Sequence, residues 1–271
     1  MGTLYIVGTP IGNLEDITLR ALRILQEVQL IAAEDTRKAR ILLDRHAIKT
    51  PLASFFEGNE RYKTGMILEA LTSGDVALIS EAGMPGISDP GYPLIQAAIA
   101  ERVPVVPVPG PSAHTAALVV SGLPTDRFLF LGFLPRRAAE REAQLAEVTM
   151  VRATLVCYEA PHRLRATLEA LRAVLGNRRI ALCRELTKRY EEVWRGDVEG
   201  ALVYIAENPP RGEYTLVIGG APEGATHWDG EQVRAALAER IACGLSRSQA
   251  AREVAVLSGW SRRDIYNGHL Q

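Results

Sequence analysis

Short apolar runs alternate with amphipathic stretches along the first half of this chain. Five of the runs have the length and aliphatic character of buried strands, and they lie at residues 4–7, 30–33, 52–55, 76–79 and 104–108. Between them, apolar residues recur at helical spacing, and we expect Asp16 to cap the first helix. Strands that alternate with helices predict a mostly parallel, doubly wound sheet.

A turn-rich break at residues 121–125 precedes a second α/β unit. Its predicted strands lie at residues 128–132, 153–158, 180–183, 192–195 and 214–218, with helices at 138–148, 163–175 and 198–205. Residues 221–229 predict a linker. We therefore divide the chain into α/β domains at residues 1–121 and 122–221 and a helical tail at 229–271.

The tail predicts two short helices around a glycine turn. Ser246 and Ser261 stand where helix N-caps are expected, and Gly259 lies between the two helices. This arrangement is typical of a helix-turn-helix unit that docks on nucleic acid. The alternative is a small helical packing element with no role in nucleic-acid binding.

One loop carries an unusual density of turn residues. Residues 80–93 hold three glycines and three prolines, which predicts a shaped and stiff loop. It follows a predicted parallel strand, and open α/β sheets bind their ligands at that edge. An elaborated strand-to-helix turn is the alternative, although such turns usually need only about two to six residues. Other turn-rich loops end strands at residues 8–13, 34–37 and 109–113, and together these loops can wall a small-molecule site.

Composition excludes several classes of protein. Cys157, Cys183 and Cys243 are far apart in the sequence, which argues against a disulfide framework or a zinc site and suits a reducing cytoplasm. The five histidines are scattered, so we expect structural or surface roles and no metal. No signal peptide or apolar run of about 20 residues is present, which predicts a cytoplasmic protein without a membrane span. Walker, GxGxxG and GxSxG motifs are also missing.

Charge is distributed unevenly along the chain. The formal net charge is −1, but residues 136–189 contain twelve Lys or Arg against six acids. That segment carries +6 and the tail +1, which leaves −8 for the rest of the chain. A basic middle on an acidic body indicates an anionic partner, and solvated helix faces are the alternative.

Five motifs occur in order along the chain. They are Gly8-Thr9-Pro10-Ile11-Gly12-Asn13-Leu14-Glu15-Asp16-Ile17-Thr18, Glu34-Asp35-Thr36-Arg37, Ser80 through Gly91, Val108-Pro109-Gly110-Pro111-Ser112-Ala113, and Tyr158-Glu159-Ala160-Pro161-His162-Arg163. Together they resemble the tetrapyrrole-methylase-like class of S-adenosylmethionine (AdoMet) enzymes. Within that class they resemble the ribosomal RNA small-subunit methyltransferase I family, which methylates a cytidine 2′-hydroxyl. The resemblance covers essentially the whole chain.

This resemblance implies two α/β domains with AdoMet in the cleft between them, no metal, and a homodimer. The implied substrate is the decoding-site cytidine of 16S rRNA (cytidine 1402), and we expect it within the assembled small subunit. By motif position, the implied cofactor contacts are Pro10, Ile11, Gly83, Gly86, Ile87, Ser112, Ala113, Leu186, Tyr214 and Thr215. Many tetrapyrrole methylases have Gly-Asp-Pro where this chain has Gly83-Met84-Pro85. The contacts of that acid therefore cannot be transferred.

A ribose hydroxyl is a poor nucleophile, so a base or a nearby cation would help its methylation. Our candidates are Glu81, Asp89 and Lys188. Each has a structural alternative: Glu81 can cap the loop, Asp89 can stabilise the turn before Pro90, and Lys188 can bind phosphate.

RNA affinity should come mainly from phosphate contacts. The candidate RNA-binding cations are Arg136, Arg137, Arg163, Arg189, Arg262 and Arg263. Aromatic residues are sparse, so base stacking is limited to a platform at Phe133 and Tyr190. Two other functions stay open. The first is C-methylation of a precorrin-type tetrapyrrole, which requires neither the basic middle nor the tail, and the second is RNA binding without cofactor affinity.

Overall fold

The computed structural model describes residues 2–222 and 228–269. The chain forms two compact units, the first of which contains residues up to Ala116 together with Leu186–Arg189. The second contains Ala117–Glu185 and the chain from Tyr190 onward. Residues 223–227 of the predicted linker, which include His227, lie outside the described residues.

The first unit is built on a five-stranded parallel sheet. Its strands are β1 (Leu4–Val7), β2 (Leu30–Ala33), β3 (Leu52–Ser54), β4 (Val76–Ile79) and β5 (Val105–Val108), in the order β3-β2-β4-β1-β5. The helices of this half of the chain are α1 (Leu19–Glu27), α2 (Thr36–Arg45), α3 (Glu60–Leu71), α4 (Tyr92–Ala100) and α5 (Ala113–Val120). The predicted doubly wound parallel sheet is confirmed, and every strand ends at the same edge.

Apolar side chains cover both faces of this sheet, which explains why its strands are apolar without alternation. On one face, Leu25 of α1 and Leu43 of α2 pack against Val7 and Ile31. On the other face, buried residues of α3 and α4 pack against Leu78. The central strand β4 is buried along its whole length.

One sequence prediction for the first unit, the cap of the first helix, needs correction. Thr18, and not Asp16, caps α1, because its Oγ1 accepts a hydrogen bond from the backbone N–H of Ala21 at 3.0 Å. Asp16 ends a separate 3₁₀ turn that Asn13 caps. Helix α3 begins at Glu60, and its first turn is polar.

The second unit contains a mixed sheet. Its strands are β6 (Phe128–Phe133), β7 (Thr154–Glu159), β8 (Arg179–Arg184), β9 (Glu192–Asp197) and β10 (Tyr214–Ile218), in the order β6-β7-β10-β8-β9. The helices α6 (Ala138–Glu147), α7 (Leu164–Leu175) and α8 (Val198–Glu207) accompany them. Only the β6–β7 pair is parallel, and the other three pairings are antiparallel.

Three helices form the tail: α9 (Gly230–Ala242), α10 (Arg247–Ser258) and α11 (Arg262–Asn267). The predicted caps are confirmed, because Ser246 and Ser261 accept backbone hydrogen bonds from Gln249 and Asp264. Gly259 has φ = 73°, a left-handed conformation that ends α10. Helix α9 is not among the predicted helices, because Asp229, which caps it in a reciprocal capping box, lies at the end of the predicted linker.

In the part of the chain that the structure describes, no helix has both the length and the apolar character needed to span a bilayer. The same residues contain no group of three His, Cys, Asp or Glu side chains arranged to hold a metal ion.

Two glycines let the ends of β1 and β5 approach each other closely. A Cβ atom at Gly8 would lie 2.8 Å from the Cα and N atoms of Gly110. A Cβ at Gly110 would likewise lie 2.9 Å from the backbone of Gly8. Neither clash can relax by a side-chain movement, because both partners are backbone.

We expect Gly8→Ala to lower the free energy of unfolding of the first unit by about 2–3 kcal/mol, the usual cost of overpacking. Gly65→Ala is the matched control, because Gly65 lies in α3 and a Cβ there meets no atom within 4 Å. That substitution should stabilise the protein by roughly 0.5–1 kcal/mol through helix propensity. Urea unfolding followed by circular dichroism measures both, and equal midpoints would refute the packing argument.

Candidate functional site

The loop between β4 and α4 is shaped by left-handed glycines. Gly83 and Gly86 have φ near +80° and Gly91 has φ = 137°, conformations that other residues rarely adopt. The N–H of Gly91 donates a hydrogen bond to Glu60 Oε1 of α3 at 2.7 Å. A Cβ at Gly91 would lie 2.8 Å from Leu78 Cδ2 of β4. The loop is therefore held by both the strand and a neighbouring helix.

The loop after β1 pairs with this central loop through backbone hydrogen bonds. Thr9 N donates to Gly83 O at 2.9 Å, and Gly83 N donates to Thr9 O at 3.0 Å. The position of a Cβ on Gly83 lies 3.5 Å from Ile11 Cγ2 and 3.7 Å from Pro111 O. Loops that follow β1, β4 and β5 thus meet at one point on the edge of the sheet.

A short segment from later in the chain joins these loops. Leu186–Arg189 belongs to the first compact unit, although the residues that flank it belong to the second. A Cβ on Gly12 would clash with Lys188 Cγ and would lie 3.1 Å from Leu186 O. Leu186 and Lys188, both predicted site residues, therefore lie against the loop after β1.

Three carboxylates gather where β2 and β4 end. The N–H of Glu81 donates to Glu34 Oε2 at 3.1 Å, and the Glu81 carboxylate forms an ion pair with Lys38 of α2. Partial burial raises the pKa of Asp89 from 3.8 to about 7, the negative charges of Glu34 and Glu81 add to this rise, and a hydrogen bond with Ser80 opposes it. Asp89 therefore holds its proton to a much higher pH than an ordinary carboxyl group.

The nearby Asp35 behaves in the opposite way. Its carboxylate accepts hydrogen bonds from the Arg37 guanidinium and caps α2, and these contacts lower its pKa to about 2. Asp35 and Asp89 thus differ strongly in proton affinity. Asp35 pairs with Arg37 and caps a helix, whereas Asp89 is partly buried near the negative charges of Glu34 and Glu81.

The structure brings most of the predicted site residues of the first unit to one edge of the sheet. These residues lie on the loops after β1, β4 and β5 and on the Leu186–Arg189 segment: Pro10, Ile11, Glu81, Gly83, Gly86, Ile87, Asp89, Ser112, Ala113, Leu186 and Lys188. Ser112 Oγ lies 3.0 Å from His114 Nδ1 at the start of α5. Tyr214 and Thr215 lie in the second unit, where they are buried on β10.

The predicted RNA-binding arginines fall into two groups. Arg136, Arg137, Arg189, Arg262 and Arg263 are exposed. Arg163 is mostly buried, with 16% of its side chain exposed, and its Nε lies 3.2 Å from Glu159 Oε1. Its Nη2 also donates to the carbonyl oxygens of Leu134 and Pro135.

Glu159 and Arg163 belong to a buried polar network that fixes the loop between β6 and α6. Glu159 is 1% exposed and accepts hydrogen bonds from its neighbour Ala160 N and from Thr167 Oγ1. Arg141 donates to the carbonyl oxygens of Pro135 and Arg136. Sequence reasoning missed this network, although the spacing of Glu159 and Arg163 by four residues is a signal for it.

Comparison with known proteins identifies the family. Over 275 aligned residues, the chain is 45% identical to the ribosomal RNA small subunit methyltransferase I of Halalkalibacterium halodurans, and the match covers all of this chain and 95% of that one. The chain belongs to the ribosomal RNA small subunit methyltransferase I family. Residues 3–201 also match the family model of Tetrapyrrole (Corrin/Porphyrin) Methylases.

Two further matches, one to a relative and one to a solved structure, cover about four fifths of the chain. The family's member from Thermotoga maritima is 47% identical over 221 residues, which are 81% of this chain and 99% of that protein. A uroporphyrin-III C-methyltransferase from Thermus thermophilus, solved with S-adenyl homocysteine, has a TM-score of 0.58 at 20% identity. That match covers 80% of this chain and 97% of the solved one, and it shows a common fold.

We expect Glu159→Gln to destabilise the second unit by about 2–4 kcal/mol, because it leaves the buried Arg163 guanidinium without its counter-charge. The matched control is Glu169→Gln on α7, which breaks an exposed pair with Arg165 at 3.7 Å and should cost less than about 0.5 kcal/mol. Urea unfolding of both variants measures the difference. Equal losses of unfolding free energy would show that the buried ion pair stabilises the protein no more than the exposed one.

Proposed function

We propose that this chain transfers a methyl group from AdoMet to the 2′-hydroxyl of the decoding-site cytidine of small-subunit ribosomal RNA. The observation that carries this proposal is the 45% identity, over the full length, to a relative named as a ribosomal RNA small subunit methyltransferase. The ribose target follows from the family resemblance of the motifs. The geometry of the first unit supports it as follows.

The loops at the edge of the first sheet fit an adenosyl ligand. The solved Thermus protein of the same fold was crystallised with S-adenyl homocysteine. In this chain, the loops that carry Ile11, Gly83 and Pro111 meet at one edge of the sheet, and such a group of loops can wall a site for a polar ligand. Ile11, Gly83, Gly86, Ile87 and Ala113 would hold the cofactor from the first unit. Tyr214 and Thr215 stay predicted contacts.

The chemistry requires no metal. AdoMet, when bound, supplies a methyl group that its sulfonium sulfur already activates. The chain's own residues would orient the ribose hydroxyl and exclude water, and such positioning is worth roughly 7–11 kcal/mol of the barrier at best. As the 2′-oxygen takes the methyl group, its proton would pass to the Asp89 carboxylate.

Asp89 is the strongest of the three catalytic candidates. A general base works best when its pKa lies near the working pH, and the pKa of Asp89 is raised to about 7. Glu81 is engaged in an ion pair with Lys38. Lys188 packs against Gly12, where its ammonium group could hold a phosphate or lower the pKa of the ribose hydroxyl.

The rigid loop between β6 and α6 suits phosphate binding. Arg163 and Arg141 hold the carbonyls of this loop, while the side chains of Arg136 and Arg137 stay exposed. Arg137 forms an exposed ion pair with Glu140 at 3.0 Å, and Arg136 is a cation beside it on a backbone that is already held in place, which lowers the entropy lost when a phosphate binds. A tetrapyrrole substrate, which the structural neighbours suggest, requires neither this loop nor the helical tail.

The decisive experiment offers tritiated AdoMet to small ribosomal subunits from a strain without this methylation. We expect label on a cytidine 2′-oxygen, located by nuclease mapping and by resistance of the adjacent bond to alkali. Label on a precorrin-type substrate but not on RNA would assign the chain to the tetrapyrrole methylases. Absence of AdoMet binding in calorimetry would favour an RNA-binding protein without activity.

We expect methyl transfer by the wild type to rise with pH and to level off above about pH 7, where Asp89 is ionised. Asp89→Asn should reduce the rate by a factor of about 100 or more and remove this pH dependence. Asp89→Glu restores a carboxylate and should recover part of the rate. An Asp89→Asn enzyme with the wild-type rate and pH profile would exclude Asp89 as the base.

The same carboxyl predicts a pH dependence of stability. Its folded pKa of about 7 exceeds the unfolded value of 3.8, so the folded state binds more protons and stability falls between about pH 4 and pH 7. Asp89→Asn should remove this fall, because the amide does not ionise. At pH 8 the variant should be more stable than the wild type by roughly 1–2 kcal/mol, a gain that partial exposure of the side chain keeps small. Urea unfolding at pH 4.5 and pH 8 measures this.

A further inference from the structure

A cavity of about 360 Å³ lies between helices α7 and α8 and the helices α9 and α10 of the tail. Arg172 of α7 and Glu199 of α8 line one side, and Arg240 of α9 lines the other together with Arg252 and Glu253 of α10. All of these residues belong to the second compact unit.

The wall of this cavity forms where α10 packs against the end of α7. Gly176 ends α7 with φ = 82°, and a Cβ there would lie 3.0 Å from Val256 Cγ1. Because no side chain larger than hydrogen fits at Gly176 without displacing Val256, the approach of the two helices is close. The cavity is therefore a consequence of packing between folded elements.

Ion pairs neutralise two of the three arginines in the cavity. Arg240 Nε lies 3.1 Å from Glu253 Oε2, and Arg172 Nε lies 3.7 Å from Glu199 Oε1. Asn177 donates a further hydrogen bond to Glu199. The two carboxylates are thus engaged by neighbouring groups.

Arg252 is different. Its Nε is shielded from solvent and has no hydrogen-bond partner among the residues that the structure describes. Buried guanidinium donors are normally paired, because a lost hydrogen bond is not replaced by water. Because Glu199 and Glu253 pair with the other two arginines, the lining of the cavity carries a net charge of +1.

We propose that this cavity binds a single phosphate of the RNA backbone, with the Arg252 guanidinium as its direct ligand. This inference rests on the proposed function, because RNA supplies the phosphate. A phosphodiester carries one negative charge, which matches the net charge of +1 on the residues that line the cavity. The planar donors of arginine fit two phosphate oxygens, and the volume accommodates a phosphate with part of its ribose.

The first test measures the affinity for small ribosomal subunits at several salt concentrations. Arg252→Gln should weaken binding roughly tenfold and reduce the slope of log K against log salt by about 1, as expected for one lost phosphate contact. Arg252→Lys keeps the charge and should recover most of the salt slope. The control is Arg23→Gln on α1, where an exposed pair with Glu27 is lost and binding should be unchanged.

A second readout separates the phosphate site from a structural role. Removing an unpaired, partly buried cation should leave the melting temperature of Arg252→Gln unchanged or higher, whereas loss of a structural arginine would lower it. Arg252→Gln with wild-type affinity and salt slope, or with a lower melting temperature and an unchanged slope, would overturn the proposal.

A third readout does not depend on methyl transfer. In ¹⁵N-labelled protein, the Arg252 Nε–H resonance should shift on addition of inorganic phosphate at constant ionic strength, and the shift should be absent with chloride. A shift in a wild type that methylates no RNA would support the cavity and refute the proposed function. No shift, together with normal RNA methylation, would refute the cavity alone.

Discussion

The close approach of backbone to backbone at one edge of the first sheet is the constraint on which the predicted cofactor site depends. Gly8 and Gly110 pack against each other, and Thr9 exchanges two hydrogen bonds with Gly83. A side chain at either glycine of the first pair would separate the loops after β1 and β5. When these loops stay close together, their backbone groups can bind a ligand without help from titratable side chains. Such a site suits a cofactor whose reactive group is already activated.

The same edge concentrates negative charge next to these loops. Glu34 and Glu81 share a hydrogen bond through the backbone of Glu81, and their charges raise the pKa of Asp89. Lys38 compensates only Glu81 directly. The arrangement costs stability above neutral pH, because Asp89 must ionise against its neighbours. Such a cost is more common at functional sites than elsewhere, although structural networks also produce it.

The sequence predicted the first sheet well, because its buried parallel strands are continuous apolar runs and its loops carry glycine and proline at the strand ends. It predicted the caps of α10 and α11 from single serines. It did not reveal the antiparallel pairings of the second sheet, since strand order depends on contacts between distant segments. The sequence also did not show that Arg163 is buried while Arg136 and Arg137 are exposed. A count of charges cannot reveal that Arg163 pairs with the buried Glu159.

The tail poses a different question, since the fold shared with the tetrapyrrole methylases does not require it. The family model ends at residue 201, and the Thermotoga relative matches only 81% of this chain while almost all of its own length is covered. Residues outside the shared fold have no necessary part in the chemistry common to it. Contacts that hold substrate and transition state equally improve capture of the substrate without accelerating the chemical step. Arg252, whose Nε has no hydrogen-bond partner among the described residues, lies between the tail and the helices that the tail packs on, and this is consistent with a segment that adds affinity for an anion.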